Sequence, residues 1–164
     1  MENDKFVTTT LDLTQLKRQR YLNPIVLISC AKGQKQGYGK AKDVYNSPFF
    51  KLCLNAAHKL TVSQNIYILS TKYELLEIDR CICHYDIQQP INGWKQWGEN
   101  IVNLLKCRKI DLNSHKIISL AGTKYNNAII RGLAKMNPPQ SISNFIEPLK
   151  GLRIGTRLHE LKKL

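Results

Sequence analysis

The sequence predicts an α/β fold, a three-layer sandwich around a mostly parallel central sheet of about four strands. Three features carry that expectation. Short apolar runs rich in β-branched residues, such as Ile25-Val26-Leu27-Ile28 and Ile66-Tyr67-Ile68-Leu69, have the length of buried strands. The stretches between them place apolar residues at helical spacing, which gives each helix one face for the sheet. Strands separated by helices connect through right-handed parallel crossovers, with helices on both faces.

Residues 1–23 read as a basic N-terminal arm, with Val7-Thr8-Thr9-Thr10-Leu11 as an edge strand and Thr14 to Arg20 as a short basic helix. A single α/β domain is expected over 24–164, a length that buries an ordinary core. Its first strand runs from Pro24 to Ile28 or Ser29. A loop of lysines and glycines follows and closes at Tyr45-Asn46-Ser47-Pro48, where a hydroxyl N-cap and a proline at the first helical position open a helix. Phe49, Cys53, Ala56, Ala57 and Leu60 form its apolar face. The second strand, Ile66 to Leu69, ends at Ser70-Thr71-Lys72-Tyr73, and residues 78–90 read as an irregular connector. Trp94, Trp97, Ile101, Leu104 and Leu105 mark the strongest helix, with the tryptophans as core or rim. The third strand, Lys116 to Leu120, runs into Ala121-Gly122-Thr123-Lys124-Tyr125 and a helix that ends at Pro138-Pro139. Phe145-Ile146 is expected as a fourth strand, and Ile154, Leu158 and Leu161 as a closing helix.

A formal charge of +13 favours phosphate-rich partners, nucleic acid before acidic membrane surfaces. The basic residues are clustered rather than mixed with acids: Lys32, Lys35, Lys40 and Lys42 share one loop whose single acid is Asp43, and Lys17, Arg18 and Arg20 form a second group. Plain solvated lysine is the competing reading. The five cysteines are odd in number and irregularly spaced, with no signal peptide and no apolar run of membrane-spanning length. These features point to a reducing, cytoplasmic compartment without membrane contact. Cys81-Ile82-Cys83-His84 lacks the second ligand pair of a structural zinc site, so neither a metal nor a cofactor is expected.

Ligands of open parallel sheets bind beyond the carboxyl ends of the strands. Here three strand ends bring together Ser29, Cys30 and Lys32; Ser70, Lys72 and Tyr73; and Gly122, Lys124 and Tyr125. Lys32, Lys42 and Lys72 are the expected phosphate ligands, since lysine is a compact charge with three donors and nearby glycines let backbone N–H groups approach an anion. Ser47 caps its helix and sets a hydroxyl beside the positive helix end. Tyr45, Tyr73 and Tyr125 stack on a base or wall the cleft. Asp43 acts as a general base, or else pairs with Lys42 or Lys72 to shape the loop; Asp86 is a second candidate acid. Cys30 is a nucleophile if lysines lower its pKa. None of His58, His84, His115 and His159 has an evident place as its base, which leaves a structural thiol as the alternative.

Several of these segments resemble one family. Ser29-Cys30-Ala31-Lys32 and Ala41-Lys42-Asp43-Val44-Tyr45-Asn46-Ser47-Pro48-Phe49-Phe50 are similar to the signature S-C-G-K-K-K and A-K-D-L-Y-x-S-P-x-F of a bacterial and phage domain of unknown function. Ile68-Leu69-Ser70-Thr71-Lys72-Tyr73-Glu74-Leu75-Leu76 resembles its I-L-S-A-K-Y-G-L-L, Tyr85-Asp86 its Y-D, Ala121 to Tyr125 its A-G-x-x-Y, and Pro148 to Gly155 its P-L-x-G-L-x-I-G. Gly33 and Gln34 stand where that pattern has lysines, and Glu74 where it has glycine. More distantly, the strand, Cys/Lys loop and Tyr-x-Ser resemble the lysine-handling domain of archaeosine synthase and, through it, the uracil-DNA glycosylase-like fold. That likeness implies a DNA-binding hydrolase of the glycosylase kind, acting on a nucleobase or glycosidic bond. Two other functions stay open: an enzyme of small nucleotides or nucleosides, and a noncatalytic nucleic-acid- or protein-binding adaptor in phage defence.

Overall fold

The computed structural model describes residues 12–18, 23–136 and 142–164. In chain order the elements are α1 (Leu13–Arg18), β1 (Ile25–Ser29), β2 (Tyr38–Lys40), α2 (Ala41–Val44), α3 (Pro48–Leu60), β3 (Ile66–Ser70) and β4 (Glu74–Glu77). They continue with β5 (Cys81–Cys83), α4 (Gly93–Cys107), β6 (Ile117–Ser119), α5 (Thr123–Lys135), β7 (Phe145–Ile146) and α6 (Ile154–Lys162). The edge strand expected over Val7 to Leu11 lies outside the described residues.

The sheet has five strands in the order β4-β3-β1-β6-β7. β3, β1, β6 and β7 are parallel, with Val26 opposite Ile66, Ile25 opposite Ile117, and Ile117 opposite Phe145. The four expected strands are therefore present. The fifth, β4, pairs antiparallel with β3, setting Ser70 opposite Glu74. A separate two-stranded ribbon of β2 and β5 occupies part of what reads in sequence as a basic loop and an irregular connector.

Alternation along β1 sorts its side chains between two cores. Val26 and Ile28 join Phe50, Cys53 and Ala57 of α3, together with Leu161 of α6. Ile25 and Leu27 join Trp97, Ile101 and Leu105 of α4 and Ile129 and Leu133 of α5. β1 is thus buried on both faces, as its unbroken apolar run requires. Leu13 and Leu16 of α1 are buried on the α3 side, so the helix of the N-terminal arm packs on the domain.

Two backbone features shape the edges of this frame. The turn from β3 into β4 is made by Glu74 at φ 63°, a left-handed conformation that favours glycine. Its carboxylate accepts a 2.6 Å hydrogen bond from Asn100 Nδ2 of α4, which ties the strained turn to the helix behind it. α4 and α5 touch backbone to backbone at Gly98 and Gly132: a Cβ on Gly98 would lie 2.1 Å from the carbonyl oxygen of Ala128.

Gly98→Ala is therefore expected to cost about 1–3 kcal/mol through overpacking, lowering the thermal midpoint by roughly 3–10 °C. Gly155→Ala, at an open position of α6, serves as the comparison and should leave the midpoint unchanged or slightly raised in differential scanning calorimetry.

Candidate functional site

The strand order reverses at β1. The chain leaves β1 towards β3 on one side, then returns across it to build β6 and β7 on the other. Crossovers that leave β1 and β6 on opposite sheet faces open a crevice at the carboxyl ends of those strands, where α/β sheets bind ligands. Cys30, the first residue after β1, is still tied to the sheet by its N–H to Leu69 O at 2.8 Å. Tyr125 stands in the first turn of α5, just after β6, and its hydroxyl lies 3.3 Å from Cys30 Sγ. That contact bridges the crevice.

Beside it is a cavity of about 190 Å³. Cys30, Lys32 and Gln34 line it from the loop after β1, Thr71 from the end of β3, and Tyr125 from α5. The connector after β5 closes it with Tyr85 and Asp86. Gln34 clamps that connector: its Oε1 accepts from Tyr85 N at 2.9 Å while its Nε2 donates to Ala31 O at 3.2 Å. Thr71 holds the same connector further along by donating to Ile87 O.

Beneath the cavity, three hydroxyls meet. Ser70 Oγ and Tyr45 Oη each lie 2.7 Å from Tyr85 Oη. Ser70 Oγ also accepts from Lys72 N at 3.2 Å and Tyr73 N at 2.9 Å, which leaves its own proton for the phenol hydroxyls beside it. Tyr45 is only 1% exposed, and its buried hydroxyl finds its partners in Tyr85 and Ser70. Tyr85 Oη thus joins Ser70 and Tyr45 in one hydroxyl cluster under the cavity that Tyr85 helps to line. Burial pushes Tyr85 well above the ordinary tyrosine range, with Cys30 and Tyr45 adding to it. Burial, then Cys30, raises Tyr125 in the same direction. Both rings are hydrogen-bonding phenols at neutral pH, not bases.

A buried polar set fixes the start of α5. Ser119 Oγ donates to Asn126 Oδ1 at 2.6 Å, and Asn126 Nδ2 donates to Glu147 at 3.1 Å. Glu147 in turn pairs with Lys150 at 3.1 Å. Gly122 is the N-cap of α5 and offers no side chain, so the first N–H groups of the helix face the crevice end uncapped.

The expected site residues therefore divide. Cys30, Lys32, Asp86 and Tyr125 line the cavity. Ser70 and Tyr45 lie under it in the hydroxyl network, and Lys72 Nζ sits 5.0 Å from the Tyr73 ring and 5.7 Å from the Tyr85 ring. Tyr73 packs edge-on to Tyr85 with its own hydroxyl on Cys83 O. Ser29 ends β1 without reaching the cavity wall, and Gly122 is the α5 cap. Ser47 caps α3, accepting from Phe50 N at 3.1 Å. Lys42 turns to Asp79 at 2.7 Å, a pairing that Lys40 shares at 3.3 Å and that holds the Asp79 carboxyl below its ordinary range. Asp43 is exposed on α2 and is not part of the cavity wall.

Gln34, Thr71 and Tyr85 escape the sequence reading. The signal for Tyr85 was its place beside Asp86; Gln34 carries none, because its role depends on a backbone N–H 51 residues away. Cys81 and Cys83 are exposed on β5. Among the described residues no three His, Cys, Asp or Glu side chains gather to hold a metal ion, and no helix is long and apolar enough to cross a membrane.

The chain belongs to a family of unknown function, DUF6884, which matches residues 25–163. No curated protein and no solved structure matches it.

Tyr85→Phe removes the hydroxyl that contacts both Ser70 and Tyr45, with an expected cost of roughly 2–4 kcal/mol, whereas Tyr45→Phe should cost about 1 kcal/mol. Equal losses in denaturant melts would contradict the central place of Tyr85 in the cluster. Burial also raises Tyr45 from 10.0 to about 12, so the folded state keeps phenol protons that the unfolded chain releases. Stability should be full below pH 10 and fall as pH rises through about 12, with phenolate absorbance of the buried rings appearing only as the fold opens.

Proposed function

We propose that this protein acts on nucleic acid, with the crevice cavity taking a nucleobase and Lys32 and Lys72 meeting the flanking phosphates. One observation carries the reading. Among the described residues, Lys32 and Lys72 have no carboxylate partner at the very crevice where a cavity opens, while Lys40 and Lys42 of the same basic stretch are paired with Asp79. Cations left unpaired beside a cavity are available to an anionic ligand. The cavity, near 190 Å³, lies below the range for drug-sized ligands, and suits a single ring system with the rest of the ligand outside.

In this reading the crevice supports hydrolysis of a glycosidic bond. Asp86 takes a proton from water as its oxygen bonds to the anomeric carbon; the C–N bond breaks with its electron pair passing to the base. Tyr85 donates a hydrogen bond to the departing base, which takes a proton from solvent. The general-base role moves from Asp43 to Asp86 because only Asp86 lines the cavity. Cys30 faces the phenol of Tyr125 rather than a base, which favours a thiol that packs and positions over one that attacks. The proposal includes the likeness to the uracil-DNA glycosylase-like fold and to the lysine-bearing signature. Gln34, which stands at a lysine position of that signature, accepts a hydrogen bond that a lysine has no lone pair to accept.

A mononucleotide enzyme is the second reading, favoured by the size of the cavity. Lys32→Ala and Lys72→Ala should each weaken oligonucleotide binding and lower the salt slope by about one or slightly less. Asp86→Asn should retain binding and lose base release, followed by chromatography of free base after incubation with oligonucleotides. Unchanged binding in both lysine variants would sink the site assignment; stabilisation by mononucleotides without oligonucleotide affinity would transfer it to the second reading.

A further inference from the structure

We infer that the groove running from the first turn of α4 along α5 carries the single-stranded polynucleotide that flanks the nucleotide in the cavity. The inference rests on the nucleic-acid reading above and gives that ligand its path across the surface. The groove has a volume of about 350 Å³. Trp94 and Lys95 of α4 and Lys124, Asn127 and Arg131 of α5 line it, together with Gln89. No acid lines it. Glu99, one turn beyond Lys95, is paired with Lys135 at 3.0 Å.

The two helices run in the same direction, because Trp94 meets Tyr125 and Gly98 meets Ala128. Their positive ends therefore lie side by side at the mouth of the groove. Neither helix has an acid in its first turn, and neither N-cap makes a side-chain hydrogen bond. Side-chain cations and helix dipoles consequently add at one place instead of being offset. Lys124 and Arg131 are two turns apart on α5, about 10 Å along its axis, which spans more than one phosphate of a strand.

The groove also adjoins the cavity. Tyr125 lines the cavity, and its ring centroid lies 5.0 Å from that of Trp94, which lines the groove. Trp97 backs both rings at 5.4 and 5.5 Å and is anchored by its Nε1 donating to Ser70 O at 2.9 Å. A half-buried Trp94 held this way is a fixed aromatic ring at the groove, which suits an unstacked base of a single strand more than the closed stack of a duplex. A strand leaving the cavity past Tyr125 meets Trp94 first and the three cations next.

The test uses fluorescein-labelled dT15 and U15, anisotropy over a salt series, and the full chain. Lys95→Ala/Lys124→Ala/Arg131→Ala should bind either strand at least tenfold more weakly than wild type at low salt, with a salt slope reduced by about two. A control that removes equal charge from the opposite layer, Lys51→Ala/Lys59→Ala/Lys162→Ala, should lose much less. Intrinsic fluorescence should be quenched by the strand in wild type and not in Trp94→Phe. All the substituted cations are exposed, so melting midpoints should stay close to wild type and confirm folding. Equal losses in the two triple variants, or none in the groove variant while wild type binds, would overturn the groove and leave the cavity reading standing. Absence of wild-type binding to either strand would overturn both.

Discussion

Everything at the candidate site follows from β1 being the strand that the chain must cross. Its carboxyl end is flanked by β3 and β6, and the helices that leave β1 and β6 depart to opposite faces. A strand buried on both faces leaves no route to solvent for its last polar groups except the crevice at its end. Cys30 N bonds to Leu69 O and Leu120 N to Leu27 O, so the sheet ladder runs to the edge of that crevice before it stops. Beyond that point the groups have to be satisfied by side chains, and the residues placed there are hydroxyls, an amide and a thiol.

This need accounts for the hydroxyl network. Ser70 is fully buried and turns the backbone at Lys72 and Tyr73. Its proton requires an acceptor, Tyr85 supplies one, and Tyr85 can be there because Gln34 holds its N–H. The loop after β1, the end of β3 and the connector after β5 are thereby joined by hydrogen bonds in a poorly hydrated place, where each bond is strong and each unmade one is costly. Structural demand and chemical potential coincide in this network: the phenol that satisfies Ser70 and Tyr45 belongs to a residue that lines the cavity.

The sequence made some of this legible and concealed the rest for definable reasons. β1 and β3 were readable because continuous apolar runs are what a doubly covered parallel strand requires, and Ser47-Pro48 marked the start of α3 through its own cap. The convergence of Cys30 with Tyr125 was readable from the rule that strand ends carry sites. β4 was not, since Glu74-Leu75-Leu76-Glu77 begins in a left-handed turn on a residue that rarely adopts one. The ribbon was hidden because β2 and β5 have three residues each and Ile82 is the only fully buried one. With the ribbon unseen, the pairing of Lys42 with Asp79 was unseen as well, and Lys42 read as a phosphate ligand. The contact of Gly98 with Ala128 had no local signal; a glycine inside a helix shows its purpose only when the second helix is in place.

The charge of the chain acquires a direction from this frame. In a parallel sheet the crossover helices return with their amino ends at the carboxyl ends of the strands, so α4 and α5 add positive potential there before any side chain is counted. Acids placed at that end would cancel it. Glu77 is kept from it, opposite Tyr67 near the start of β3 and paired with Arg108; Glu74, opposite Ser70, does stand at that end, its carboxylate accepting from Asn100. Asp86 is the carboxylate that lines the cavity, among Lys32, Lys72, Lys95 and Lys124 on the surrounding elements. Like charges gathered this way repel one another and work against the fold. A polyanion laid along the crevice relieves that repulsion, so the same arrangement that burdens the free protein strengthens its complex.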